Sequence, residues 1–264
     1  DLGMQLNGTP QVIVDSYDSR VGPYDPSSSR SNGDIGTNST VDASVGVIGN
    51  TQVKGDAYVG PGGDPSRVIT ISPNAILTGN QLVSVSPRNY QPVTSNMLSS
   101  GSLNIQGGKD YQLQAGTYRF DSISIGGSGK LTLLGPVTIF VDGPCDLGGN
   151  GVATANNNRT NFFLFSTGTA DVQVTGGAEL YAAIFAPHSK VSNNGNATIY
   201  GAVVGRDYDQ TGNGSLHFDE ALRDLGGKQK GLLRLRVWNE ENTTAWGTGS
   251  GAMGLSTNGG VTAS

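Results

Sequence analysis

Two aspartates one residue apart, in the sequence Arg206-Asp207-Tyr208-Asp209, are the best candidates for chemistry in this chain. In a β-strand, residues i and i+2 face the same side, so Asp207 and Asp209 would present two carboxylates together. Such a pair could bind Ca²⁺, could serve a polysaccharide lyase or hydrolase, or could be a solvated corner. Because no carboxylate pair faces another across a predicted sugar cleft, and no general base is evident, we expect a non-catalytic protein.

Several aromatic residues fall near predicted loops or edges and are candidates for ligand binding at the surface. Flat aromatic rings can stack on sugars, but the same residues anchor protein interfaces or pack beneath loops. The candidates are Tyr24, Tyr90, Tyr208, Trp238 and Trp246.

Few residues could hold a transition metal. The chain has one cysteine, Cys145, and two histidines, His188 and His217. A zinc or copper site draws on several such ligands, so the composition predicts either no cofactor or Ca²⁺ at the aspartate pair. Cys145 cannot form a disulfide within the chain, and we expect it to be a small buried residue.

A repeat of 24 residues predicts the architecture that must position these side chains. Short repeats at a fixed period are typical of solenoids, in which each turn of the chain stacks on the previous one. In the aligned pairs asparagine falls on asparagine, glycine on glycine and an apolar residue on an apolar residue: Asn50 with Asn74, Val53 with Leu77, Gly55 with Gly79, and Val59 with Val83.

The sequence as a whole favours an all-β fold, a right-handed parallel β-solenoid of about eight turns stacked about 4.8 Å apart. Glycine occurs 41 times, as expected of many tight corners, and only 14% of residues are charged. Apolar triplets recur at intervals near 20 residues and predict an interior without room for a ligand. The triplets begin at Tyr118, Thr138, Phe163, Ala183 and Ala202.

The composition divides the chain into four parts. Residues 1–32 are expected to form a strand and a loop, and residues 33–218 the solenoid, with an excursion at 86–101. Residues 219–246 are expected to form a short capping helix, with Asp219 as N-cap, and an edge strand at 232–238. Residues 247–264 are a tail rich in glycine and serine.

Charge and hydropathy narrow the partners. The net charge of −5 argues against electrostatic binding of nucleic acid. No segment is long and apolar enough to predict a membrane span or a signal peptide. The asparagine-, threonine- and glycine-rich composition is typical of exported bacterial surface proteins, so we expect an extracellular or cell-surface location.

Short segments over residues 30–225 resemble the β-solenoid ectodomain of PilX-like proteins, which are associated with bacterial type IV pili. The resemblance implies an extracellular structural or adhesive role and no catalytic residues. It is carried, in order, by segments 32–38, 55–63, 180–187, 200–205 and 218–222.

Three functions remain open from the sequence. The leading hypothesis is a structural or adhesive module of a pilus or surface filament, whose partners are other protein subunits. The alternatives are an adhesin that binds surface glycans, and a polysaccharide lyase or hydrolase that uses the region around Asp207 and Asp209.

Overall fold

A computed structural model describes residues 3–154, 162–177 and 179–227, and within them the chain forms parallel strands with very little helix. The strands are β1 Met4–Tyr17, β2 Ile35–Gly36, β3 Val45–Val53, β4 Ala57–Val59, β5 Ile69–Ile71, β6 Ile76–Leu77, β7 Gln81–Val83, β8 Ser102–Ile105, β9 Asp110–Leu113, β10 Gly116–Phe120, β11 Ser122–Ile125, β12 Lys130–Leu133, β13 Val137–Val141, β14 Cys145–Leu147, β15 Val152–Thr154, β16 Phe162–Ser166, β17 Val172–Gly176, β18 Glu179–Gly195, β19 Thr198–Gly212 and β20 Leu216–Asp219. One turn of α-helix spans Pro65–Val68, and 3₁₀ helices span Pro26–Ser28 and Glu220–Gly227.

Every pair of neighbouring strands is parallel, and the chain winds as a β-solenoid of about eight turns. The predicted offset of 24 residues is confirmed, because Val53 pairs with Leu77 and Val59 pairs with Val83. The later apolar triplets stack as predicted from Thr138 onward, whereas the first is displaced by one residue, since Thr117 pairs with Thr138.

Alternation along each strand builds the core. In β13, Val137, Ile139 and Val141 point inward and are fully buried. Residues in register on neighbouring turns, such as Leu164 and Ile184, continue the same column. Apolar columns of this kind remove large areas from water and supply the main stabilising term.

Three faces make up one turn near the middle of the rod. The first face holds residues 4–8, which pair with 208–212 and 45–49. The second face holds residues 14–17, which pair with β20. The third face holds β2, which pairs with β4.

A column of glycines lies at the end of the first face, where the chain turns sharply. The backbone of Gly195 has φ +118° and that of Gly212 has φ +104°, conformations that a Cβ disfavours. A Cβ on Gly212 would lie 2.3 Å from the carbonyl oxygen of Gly195. The column runs in register through Gly176, Gly195, Gly212, Gly8 and Gly49.

The spatial order of the turns differs from their order in the sequence. Residues 102–219, here called the C-terminal coil, wind towards β1, and residues 4–85, the N-terminal coil, continue from β1 in the same direction. The two coils meet where β1 pairs with β19 and β20, a junction here called the seam. The N-terminal strand is therefore part of the solenoid, which begins at Met4 rather than at residue 33.

The excursion at 86–101 connects opposite ends of the rod. At its start, Asn38 exchanges two hydrogen bonds of 2.7 Å with the Arg88 backbone. Near its end, Arg119 donates to the carbonyl oxygens of Ser95 and Met97. The crossover thus runs back along the flank of the C-terminal coil.

An aromatic column on that flank receives the crossover. Phe140, Phe165 and Phe185 stack in register on the outer side of the third face and are buried. The Tyr90 ring lies edge-on, 5.4 Å from the Phe185 ring, and Val93 is 3% exposed. The outer side of these strands is thus a second hydrophobic core.

The short helix predicted after residue 218 is the 3₁₀ helix Glu220–Gly227, here called the seam helix. The Asp219 carboxylate accepts from the Ala221 backbone at 3.0 Å, as expected of an N-cap. The helix buries Leu222 beside Phe218 at the seam, and not over an open end of the rod. The predicted edge strand and the tail lie outside the described residues, in which no helix is long and apolar enough to cross a membrane.

A candidate binding site at the seam

A polar column crosses the seam on the second face. Tyr181 pairs with Tyr200, Tyr200 with His217, and His217 with Asp15, so four turns contribute one residue each. The Tyr181 and Tyr200 rings stack with centroids 4.6 Å apart. His217 Nδ1 lies 2.5 Å from Asp15 Oδ1, and both side chains are buried.

The loop at 18–34 covers this column. The Tyr24 ring stacks on the His217 ring at 3.8 Å, and its hydroxyl donates to Asp15 Oδ2 at 3.0 Å. Burial and the neighbouring Asp15 raise the pKa of Tyr24, so its hydroxyl keeps its proton. Lys54 Nζ lies 3.8 Å from the same Asp15 oxygen. The Asp15–His217 pair thus joins residues 202 positions apart beneath an aromatic cover.

Glu220 fastens the same loop to the seam helix. Its carboxylate accepts from Ser16 Oγ at 2.9 Å, from Asn32 Nδ2 at 2.7 Å and from Arg30 Nη1 at 2.8 Å. Burial favours the neutral acid, but the hydrogen bonds from Asn32, Ser16 and Arg30 outweigh it and lower the pKa of Glu220. Glu220 is therefore a structural anion that holds the two coils together.

The third face lacks one strand at the seam. On the first face, residues 4–8 lie directly on 208–212, and on the second face β20 lies between residues 199–201 of β19 and residues 14–17 of β1. The matching position on the third face, between residues 202–205 and β2, holds no strand of the described residues, because the chain leaves β20 as the seam helix. We call this space the open slot. Two strand spacings separate its edges, about 9.6 Å.

Unpaired backbone groups face the open slot from both sides. Ile35 and Thr37 donate to β4, so the N–H groups of Asp34 and Gly36 point the other way. Ile199 donates towards β20, and the same strand parity turns the backbone of Val203 to the slot. Edges of this kind readily pair with an added strand.

A cavity of about 420 Å³ occupies this space, so the prediction of an interior without room for a ligand is wrong. The turns stack tightly elsewhere, but the missing strand removes the side chains that would fill the core at this level. Apolar side chains from the interior line its floor: Met4, Leu6, Val14, Ile35 and Leu216. Arg88 and Tyr90 of the crossover reach its rim.

Charged groups near the slot are only partly satisfied. Burial raises the pKa of Asp34, although its carboxylate accepts from the Asp56 backbone at 2.9 Å. On the seam helix, the Arg223 guanidinium lies 5.2 Å from the Phe218 ring centroid. Arg223 Nε and Nη2 are buried and have no acceptor among the described residues. Because buried donors normally find acceptors, this arginine points to a missing partner.

The structure separates the two aspartates predicted as a site. Asp207 is buried and bonds with Arg206 Nε at 2.7 Å and the Gly3 backbone at 3.2 Å. Asp209 is partly exposed and lies 2.5 Å from Lys190 Nζ. The solvated-corner interpretation of Asp207 is therefore wrong. Among the described residues no three His, Cys, Asp or Glu side chains gather as metal ligands, and Ca²⁺ binding stays a prediction.

The predicted aromatic residues have three different fates. Tyr24 is half-buried over His217. Tyr90 and Tyr208 both line the cavity, but Tyr208 is an inward core residue rather than a surface residue. Trp238 and Trp246 lie outside the described residues. Glycan binding therefore stays a prediction.

Sequence reasoning missed Asp15, Asp34 and Arg223. An isolated carboxylate in the alternating run around Val12 and Val14 was the available signal, because a buried aspartate needs a partner. The partner, His217, comes from the other end of the chain, and no local pattern connects the two.

Comparison with known proteins adds one finding. Residues 121–225 match the model of a family described as a domain of unknown function, DUF7305. These residues run from the C-terminal coil to the seam helix. No curated protein and no solved structure matches the chain.

Proposed function

We propose that this protein is an extracellular, non-catalytic structural or adhesive module of a pilus or surface filament, which associates end to end through its terminal turns. The observation that carries the proposal is a pair of open sheet edges. At one end β5, β6 and β7 each pair on one side only, and at the other end β8, β9 and β10 do the same within the described residues.

Apolar side chains accompany both edges. Ile76 and Val83 are exposed at the end formed by the N-terminal coil, with Val83 42% exposed although its partner Val59 is fully buried. Tyr111 and Leu98 are exposed at or beside the other end. Open parallel edges with apolar residues favour pairing with another chain.

The winding sense makes the two ends complementary. Because both coils wind in one direction along the rod, the last turn of one copy can be followed by the first turn of another as if the solenoid continued. Such a contact joins two different surfaces and does not close on itself, so it generates an open filament.

The resemblance to PilX-like ectodomains and the low content of charged residues, 14%, support the extracellular assignment. A stack of hydrogen-bonded turns suits a structural role, because each turn is held by the turns on both sides. The arginine and lysine partners of Asp207 and Asp209 favour a structural role for both carboxylates over catalysis.

The test places a charge on the open end of the core. Val83→Lys should abolish assembly that depends on concentration, measured by light scattering and electron microscopy, because a lysine at the stacking surface must be desolvated. Val21→Lys makes the same change at a residue 77% exposed on the seam loop, away from both ends, and should assemble like the unmodified chain.

Two results would overturn the proposal. One is an unmodified chain that stays monomeric at high concentration and appears as isolated short rods. The other is equal assembly of the two lysine variants when circular dichroism shows both to be folded.

A further inference from the structure

We propose that the open slot is a strand-acceptor site and that its occupant is the run at 232–238 of this same chain. The proposal is independent of end-to-end assembly, because the slot lies at the seam and not at the ends of the rod.

The slot has the dimensions of one strand. Pairing registers on the first and second faces count one more turn than the third face provides between residues 202–205 and β2. The cavity of about 420 Å³ occupies that position. An added strand could bond with both flanking edges, whereas strand addition to an ordinary sheet edge satisfies one side only.

The lining prescribes an alternating sequence. The inward side of the slot meets Met4, Val14 and Leu216, so inward residues must be apolar. The outward side meets Asp34, which is half-buried and favours basic residues. Carbonyl oxygens of a strand would also offer acceptors near the seam, where Arg223 has two unpaired donors.

The run at 232–238 has this alternation. Leu233, Leu235 and Val237 alternate with Arg234 and Arg236. The run follows the seam helix after residues 228–231, which can span up to about 14 Å when extended. The seam helix is itself about 16 Å long at about 2 Å per residue, so the connection can reach the slot region from its end.

The test is a disulfide scan in the full-length chain. Val203→Cys, on the inward side of the slot edge, is combined in turn with cysteine at each position from 232 to 238. Neighbouring strands bring Cβ atoms within disulfide range when side chains share a face. We expect intrachain disulfides with Leu233→Cys, Leu235→Cys or Val237→Cys and none with Arg234→Cys or Arg236→Cys, scored by non-reducing electrophoresis and peptide mass spectrometry.

Thr132→Cys, half-exposed on a distant turn, replaces Val203→Cys as the matched control. The native Cys145 is buried and burial raises the pKa of its thiol, so it should not compete. A scan without the two-residue period, or with equal yields for Thr132→Cys, would overturn the proposal. Disulfide-linked dimers with the same period would also overturn it, because they would assign the slot to a second copy.

Discussion

The glycine column shows how single residues set the spacing between turns. Gly212 combines a positive φ with a backbone carbonyl where its side chain would be, so two separate penalties apply to any replacement. Gly62 also has a positive φ, +82°, but no atom lies within 4 Å of its Cβ position. The two glycines therefore separate the cost of conformation from the cost of close approach.

Gly212→Ala should lower the free energy of unfolding by about 3 kcal/mol, because the turn below must move to admit the methyl group. Gly62→Ala should cost only about 1–2 kcal/mol, the cost of placing an L-residue in this region of φ. Urea unfolding of both variants measures the difference. Equal costs would mean that the column does not limit the approach of turns.

At the scale of elements, the crossover at 86–101 is held by packing rather than by strand pairing. Val93 is 3% exposed against the aromatic column, whereas Val85, just before the crossover, is 81% exposed. A segment without ladder hydrogen bonds depends on such anchors.

Val93→Asp should lower stability by about 3 kcal/mol, because the carboxylate would enter an apolar contact without a partner. Val85→Asp should stay within about 0.5 kcal/mol of the unmodified chain. Thermal unfolding and trypsin cleavage after Arg88 report the effect. Resistance of Val93→Asp to trypsin, with unchanged unfolding, would show that the crossover does not depend on this contact.

Elements whose partners are close in sequence could be predicted, and elements whose partners are distant could not. Val53 and Leu77 stack at the predicted offset because one turn of chain separates them. The pairing of Met4 with Tyr208 crosses 204 residues, and no repeat marks it. For the same reason the sequence predicted Tyr90 and Tyr208 as separate surface candidates but not the cavity that both line.

At the scale of the whole molecule, the rod is a solenoid whose first and last turns in sequence meet in its middle. The connection between Val85 and Ser86 lies at an end of the rod and is exposed, whereas the seam carries the Asp15–His217 and Glu220 contacts. Exposed connections that carry few contacts tolerate new chain ends.

A permuted chain should therefore fold when it begins at Ser86, passes from Ser264 through a short Gly-Ser linker to Asp1, and ends at Val85. We expect the circular dichroism spectrum of the unmodified chain and a stability within about 2 kcal/mol of it, since the main change is one loop closure. A second permutant cut between Ile139 and Phe140, inside β13, should not fold. An unfolded first permutant would contradict the described order of turns.

The position of β1 also sets the order in which the rod can be completed on the ribosome. Met4 leaves first, but its partner Tyr208 follows 204 residues later, roughly 10–40 s at common synthesis rates of about 5–20 residues per second. Until then one side of the nascent N-terminal coil carries an unprotected edge. Translation thus finishes the centre of this molecule last, and factors that shield emerging chains would have this edge to guard.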